Sequence, residues 1–159
     1  MSAKETNLSF FKKEDVPNAK GLRFSIVVSK WNESITKGLY EGAIKTLIDS
    51  GVNPKDIKTH DVPGSFELIF GTKIAAKDNS NAIICIGSII EGETKHFDFV
   101  CNAVSIGIKD LNISLPMPVI FGVLTDNNMQ QAVDRSGGKY GNKGIEAAIT
   151  AIKMAVLNI

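Results

Sequence analysis

The feature that most limits the folds open to this chain is a repeated pairing of a short apolar run with a segment of helical spacing. The clearest run is "AIICIG" (82–87), which has no charge and is rich in isoleucine. Such a run suits a strand covered on both faces. "LRFSIVVS" (22–29) and "PVIFGVLT" (118–125) read the same way, and "IKTHDV" (57–62) is a weaker fourth strand. Helical spacing follows each of them. In "ESITKGLYEGAIKTLIDSG" (33–51), Ile35, Leu39, Ala43, Leu47 and Ile48 share a face, and Gly51 suits the residue after the C-cap. Further helices are predicted over 65–77, from Lys95 to Leu111, from Asn128 to Arg135, and over 142–158.

Strands that alternate with helices imply parallel pairing and right-handed crossovers. The predicted fold is therefore α/β: a three-layer α/β/α sandwich around a central four-stranded parallel sheet, flavodoxin-like. Residues 1–20 are polar, contain Pro17 and one apolar patch, "LSFF" (8–11), and read as an N-terminal arm. Residues 21–159 read as a single domain, enough chain for one core. Ligands in such sheets bind beyond the carboxyl ends of the strands. The loops there are "SKWNES", "DVPGSFE", "GSIIEGETKHFD" and "LTDNN", and a glycine-rich turn, "RSGGKYGNKG", precedes the last helix.

Charge and composition exclude several partners. Eighteen basic and seventeen acidic side chains leave a net charge of +1. That supplies no general attraction to nucleic acid or to an anionic membrane. No apolar stretch reaches the roughly 20 residues of a membrane span. The N-terminus has no apolar signal core, so a cytoplasmic location is expected. Cys85 and Cys101 lack a C-x-x-C spacing and read as buried small hydrophobes, not as a metal pair or a disulfide.

Each residue at the strand ends admits a structural and a functional reading. Trp31 is the lone tryptophan. It is either a partly buried surface side chain or a platform for a flat heteroaromatic ring. Asn32 suits a helix N-cap and, less directly, a ligand contact. In "VPGSFE" (62–67), Ser65 is the natural N-cap and the amides of Gly64, Ser65 and Phe66 are helix-start donors. Glu67 complements the helix dipole or holds a ligand. "EGETKH" (91–96) resembles an anion nest, with Gly92 allowing an unusual backbone and Thr94 starting a helix. Arg135, with Lys139 or Lys143, is the cation such an anion needs. Glu91 and Glu93 weaken the reading unless the backbone alone binds.

His96 is one of two histidines. The metal reading fails for want of partners, because H-x-D places His96 and Asp98 on different helix faces. An inert surface histidine and a proton-transfer group both remain open. No G-x-x-x-x-G-K-[ST], G-x-G-x-x-G or G-x-S-x-G motif occurs, which removes the corresponding phosphate cradle, dinucleotide site and hydrolase elbow.

Taken in series, "KWN" (30–32), "VPGSFE" (62–67), "GSIIEGETKHFDFVCNAVSIGI" (87–108), "PVIFGVLT" (118–125) and "DRSGGKYGNKGIEAAITAIKMA" (134–155) resemble the 6,7-dimethyl-8-ribityllumazine synthase family. The resemblance covers about residues 16–158. It implies the penultimate step of riboflavin biosynthesis. There, 5-amino-6-(D-ribitylamino)uracil condenses with 3,4-dihydroxy-2-butanone 4-phosphate, phosphate and water leave, and no cofactor or metal takes part. Matched by motif, Trp31 stacks on the pyrimidine. Asn32, Ser65, Phe66 and Glu67 hold the ribityl chain, and Ser88, Ile89 and Ile90 meet the pyrimidine edge. Glu93 and Thr94, through their amides, bind phosphate with Arg135. His96 is the proton-transfer histidine, acting with Arg135 and Lys143 as the catalytic set, and Phe121 and Lys143 line the pocket.

The same resemblance implies pentamers whose sites are shared between adjacent subunits. The arm would add to a neighbouring sheet, and Phe121, Arg135 and Lys143 would face the next subunit's Trp31, Phe66 and His96. The compact "RSGGKYGNKG" turn resembles members that assemble twelve pentamers into an icosahedral shell, and association with riboflavin synthase is a further implied partnership. Trp31 stands where many members carry phenylalanine, and members with tryptophan there also bind riboflavin. A flavin-binding or storage protein on the same scaffold is the alternative. Arg135 together with His96 favours the enzyme, since a pure binder has no use for a phosphate site beside a proton shuttle.

Overall fold

A computed structural model describes residue 7 and residues 9–157. The expected sheet is present: β1 (Phe24–Ser29), β2 (Ile57–Val62), β3 (Ala82–Ile90) and β4 (Val119–Asp126) lie parallel in the order β2-β1-β3-β4. β1 is buried throughout and β3 is buried as far as Ile89, so both faces of the sheet need covers. Helices α1 (Glu33–Asp49) and α5 (Lys143–Leu157) cover one face, and α2 (Leu68–Ala75) and α3 (His96–Ser114) cover the other. Successive strand residues serve opposite cores. Phe24, Ile26 and Val28 pack with Leu39, Leu47 and Ile152, whereas Val27, Ile83 and Cys85 pack with Leu68, Val104 and Ile108. Each fully buried leucine or isoleucine stabilises the fold by roughly 2 kcal/mol.

Local chemistry sets the boundaries. Gly51 ends α1 as its sequence position suggests: its φ is +101°, its amide donates to Ile48 O at 2.9 Å, and the Val52 amide donates to Leu47 O at 3.1 Å. That pair of bonds is a Schellman cap, and Leu47 and Val52 at its two ends are both buried in the same core. Ile48 departs from the expected apolar face. It lies one helical step beyond Leu47 and is 39% exposed, while Thr36 and Thr46 are buried instead. β3 runs three residues past the expected end, to Ile90, because β4 pairs with it as far as Ile90↔Asp126. α2 is shorter than expected and ends in a 3-10 turn at Ala76–Asp78. α3 continues past Leu111, since the Asn112 side chain donates to Val119 O at 2.7 Å and accepts from Val119 N at 2.9 Å. A helix side chain thereby holds the start of β4.

Cys85 is fully buried, and burial pushes its thiol up to about 12. Cys101 departs from expectation: it packs against the core on the same α3 stripe as Val104, Ile108 and Leu111, but nearer the start of the helix, and is only partly buried. Of the arm, residues 1–6 and Leu8 of the apolar patch lie outside the described residues, as do the last two residues of the chain. The described part contains a 3-10 turn at Lys13–Asp15. Among the described residues, no helix is long and apolar enough to cross a membrane.

The stretch read as a compact turn contains a small antiparallel hairpin, β5 (Ser136–Gly138) and β6 (Gly141–Asn142), after helix α4 (Met129–Arg135). Asn142 is its anchor. The Asn142 side chain donates to Gly38 O at 2.8 Å and Ser136 O at 3.2 Å, and accepts from Gly144 N at 2.8 Å. The last bond caps α5 while the first ties it to α1. This docking brings the backbones so close that a Cβ on Gly144 would lie 1.8 Å from Leu39 O. Gly144→Ala is therefore expected to lose ~3 kcal/mol in urea unfolding, by overpacking. An unchanged midpoint would show that α5 can retreat from α1 without loss.

Candidate functional site

Beyond the carboxyl ends of β1 and β3 opens a cavity of about 1020 Å³. Three chain segments, one face of α3 and Met129 at the start of α4 build it. The first follows β1, where Lys30 N donates to Val62 O at 2.8 Å and Trp31 N to Pro63 O at 3.1 Å. These bonds carry the β1 ladder into the loops and hold Trp31 at the rim, where it is 70% exposed. Asn32 differs from the expected side-chain cap. Its backbone is left-handed (φ 57°, ψ 48°), and its side chain makes no cap bond. It donates instead to Ser88 O at 3.1 Å, across to β3. Asparagine tolerates that backbone better than most residues do, and the amide reaches a neighbouring strand that a cap would not.

The second segment is 63–67. Ser65 is not the helix cap expected, because α2 starts only at Leu68 and Glu67 occupies the cap position without a side-chain bond. Ser65 is nearly buried and its hydroxyl has no partner. Phe66 and Glu67 beside it line the cavity with exposed side chains.

The third segment is the end of β3. Ser88, Ile89 and Ile90 line the cavity, and the Ser88 hydroxyl is likewise buried without a partner. Buried polar atoms in folded proteins are nearly always satisfied, so the unpartnered hydroxyls of Ser65 and Ser88 set this wall apart from the apolar surface around it.

From Gly92 the chain turns into α3. Gly92 does not use its freedom: its φ is not positive, and a Cβ there would meet open space. The expected nest therefore reduces to the helix start itself. Thr94 accepts from His96 N at 3.4 Å through its hydroxyl, and His96 opens α3 with its side chain exposed on the cavity wall. Glu91 and Glu93 are exposed, and neither lines the cavity. His60, by contrast, is held by Asp78, which also receives Lys58 and Ser25. Burial alone would raise the Asp78 carboxyl, but those hydrogen bonds outweigh it and hold the group below its ordinary range.

Phe121, Arg135 and Lys143 do not join this cavity within the chain. Phe121 is 37% exposed on β4, an edge strand of the sheet. Lys143 begins α5 and pairs with Glu146. Arg135 ends α4 and donates through Nη1 to Asp126 Oδ1 at 2.9 Å. Sequence reasoning missed Asp126, which reads as the first polar residue after an apolar strand and gives no sign of burial. It also missed the apolar wall formed by Phe97, Phe99, Val100, Ala103 and Met129. The spacing of 97, 100 and 103 was the available signal.

Comparison with known proteins gives a consistent answer. The family model for 6,7-dimethyl-8-ribityllumazine synthase matches residues 21–158. A 6,7-dimethyl-8-ribityllumazine synthase of Flavobacterium johnsoniae is 59% identical over 158 residues, covering 99% of this chain and 83% of the relative. That of Christiangramia forsetii is 56% identical over 159 residues, covering 99% and 95%. That of Cytophaga hutchinsonii is 52% identical over 160 residues, with all of both chains covered. A match of this extent, on a parallel sheet with its pocket at the strand ends, means that the chain belongs to the 6,7-dimethyl-8-ribityllumazine synthase family.

Proposed function

We propose that the chain condenses 5-amino-6-(D-ribitylamino)uracil with 3,4-dihydroxy-2-butanone 4-phosphate to 6,7-dimethyl-8-ribityllumazine, releasing phosphate and water. The observation that carries the reading is a cavity rimmed by exposed Trp31 and Phe66, bordered by His96 and walled by Ser65 and Ser88, whose hydroxyls have no partner within the chain. A pyrimidine with a polyol tail needs that combination: aromatic surface for the ring and hydrogen-bonding groups for its edge and chain. Trp31 stacks on the pyrimidine, Ser88 with Ile89 and Ile90 meets its edge, and Asn32, Ser65, Phe66 and Glu67 hold the ribityl chain.

Amine and ketone condense spontaneously, so the protein's main contribution is to hold the two reactants in register. Schiff-base formation still moves protons, and loss of phosphate removes one from the carbon next to the imine. His96, at the start of α3 next to Thr94, moves those protons. The amides of Glu93 and Thr94 and the guanidinium of Arg135 receive the phosphate, and Arg135 offsets its charge as it departs. Lys143 and Phe121 complete the wall.

Arg135, Lys143 and Phe121 lie outside their own chain's cavity, which supports a site shared between adjacent subunits of a pentamer. Exposed Phe70, Phe99, Ile106 and Ile113 on α2 and α3 give such an assembly apolar surface to bury. Twelve pentamers in an icosahedral shell, a cytoplasmic location and association with riboflavin synthase complete the reading.

His96→Ala is expected to lower turnover by about 10–100-fold, because proximity survives the loss of the proton shuttle. Unchanged turnover would remove His96 from the mechanism. Trp31→Ala is expected to weaken pyrimidine or riboflavin binding by about 10-fold in fluorescence titration, and superimposable curves would sink the stacking role. In sedimentation velocity the protein is expected to run as a shell, and a boundary at the pentamer alone would refute that assembly.

A further inference from the structure

We propose that Asp126 is a positioning residue for Arg135: its carboxylate fixes the guanidinium at the phosphate subsite and tempers its charge. This rests on the reading of Arg135 as a phosphate contact. Asp126 is the last residue of β4 and is 2% exposed. Its own place is set twice, by the Ile90↔Asp126 ladder position and by the Glu91 amide, which donates to its carbonyl at 2.9 Å. Arg135, at the end of a seven-residue helix, has a long stem that would otherwise sample many rotamers. The 2.9 Å bond from Nη1 to Asp126 Oδ1 removes that freedom.

The pair is a poor device for stability. Asp126 Oδ2 and Arg135 Nε are both buried without partners, so each charged group has lost water at an atom that gains no hydrogen bond in return. What the contact does achieve is geometric. One arm of the fork is tied back, and Nη2, which makes no hydrogen bond among the described residues, is left for an anion. The carboxylate also opposes the arginine's charge, so an arriving phosphate meets a cation already partly balanced, and a departing phosphate is held less tightly.

The two effects have opposite signs and separate in two variants of the full chain. The probe is inorganic phosphate as an inhibitor competing with the phosphorylated substrate. Asp126→Ala frees the arginine and is expected to raise the inhibition constant about 10-fold, with KM for the phosphorylated substrate rising while kcat changes less than about 3-fold. Asp126→Asn keeps an acceptor for Nη1 and removes the opposing charge, and is expected to lower the inhibition constant about 3-fold. A purely structural residue does not split these variants. Shifts of the same sign, or no shift in either, overturn the proposal. Should the alanine variant fail to fold, the near-isosteric asparagine variant decides alone, and an unaltered inhibition constant there overturns it. Arg135→Ala tells the two readings apart. If it leaves phosphate inhibition intact, the phosphate role of Arg135 falls and this proposal with it. If it weakens inhibition while the Asp126 variants do not split, only the positioning role falls.

Discussion

The ladder that β3 forms with β1 on one side and β4 on the other sets the position of every part of the pocket. Val28 pairs with Ile86, so β3 runs on past the end of β1 and presents Ser88 to the Asn32 side chain. On the other side β3 stays paired with β4 as far as Ile90 and Asp126, and the Glu91 amide adds one more bond to the Asp126 carbonyl. The loop after β1, the turn into α3 and the seat of Arg135 are thus extensions of one register. A one-residue slip would turn all their side chains to the opposite face. Buried, β-branched strands protect against that slip, because both faces of β1 and β3 are packed.

A reaction helped mainly by orientation needs such a frame. Groups on rigid elements hold reactants closer to the productive geometry than groups on free loops. The pocket also gives up stability locally. The hydroxyls of Ser65 and Ser88 are buried in its wall without a partner in the chain, an arrangement that costs about 1–3 kcal/mol for each group left unpaired. Asp126 and Arg135 show the same pattern with charges. These are the positions where local rules of folding give way, which is where function is expected to lie.

The parts of this arrangement legible in the sequence were those written in short-range chemistry. Apolar runs marked the strands, Gly51 marked a Schellman cap, and the loops at the carboxyl ends located the cavity. Tertiary contacts hid the rest. Asn32 and Ser65 read as caps because a polar residue before a helix usually is one; only the β3 backbone behind Asn32 and the buried position of Ser65 redirect them. Ile48 lost its place in the core to a single helical step. Asp126 looked like the polar end of a strand, and nothing within a few residues of it announces a partner nine positions along. The hairpin at 136–142 is held by an asparagine reaching Gly38, a contact no local pattern encodes.

The central claim is that this pocket joins a pyrimidine amine to a phosphorylated ketone. Its most direct test is to mix 5-amino-6-(D-ribitylamino)uracil and 3,4-dihydroxy-2-butanone 4-phosphate with the protein and follow lumazine absorbance. The account predicts a rate above the uncatalysed background that rises in proportion to protein concentration and is matched by phosphate release. Formation at the background rate, in protein that still binds riboflavin, would contradict it and leave a flavin-binding protein.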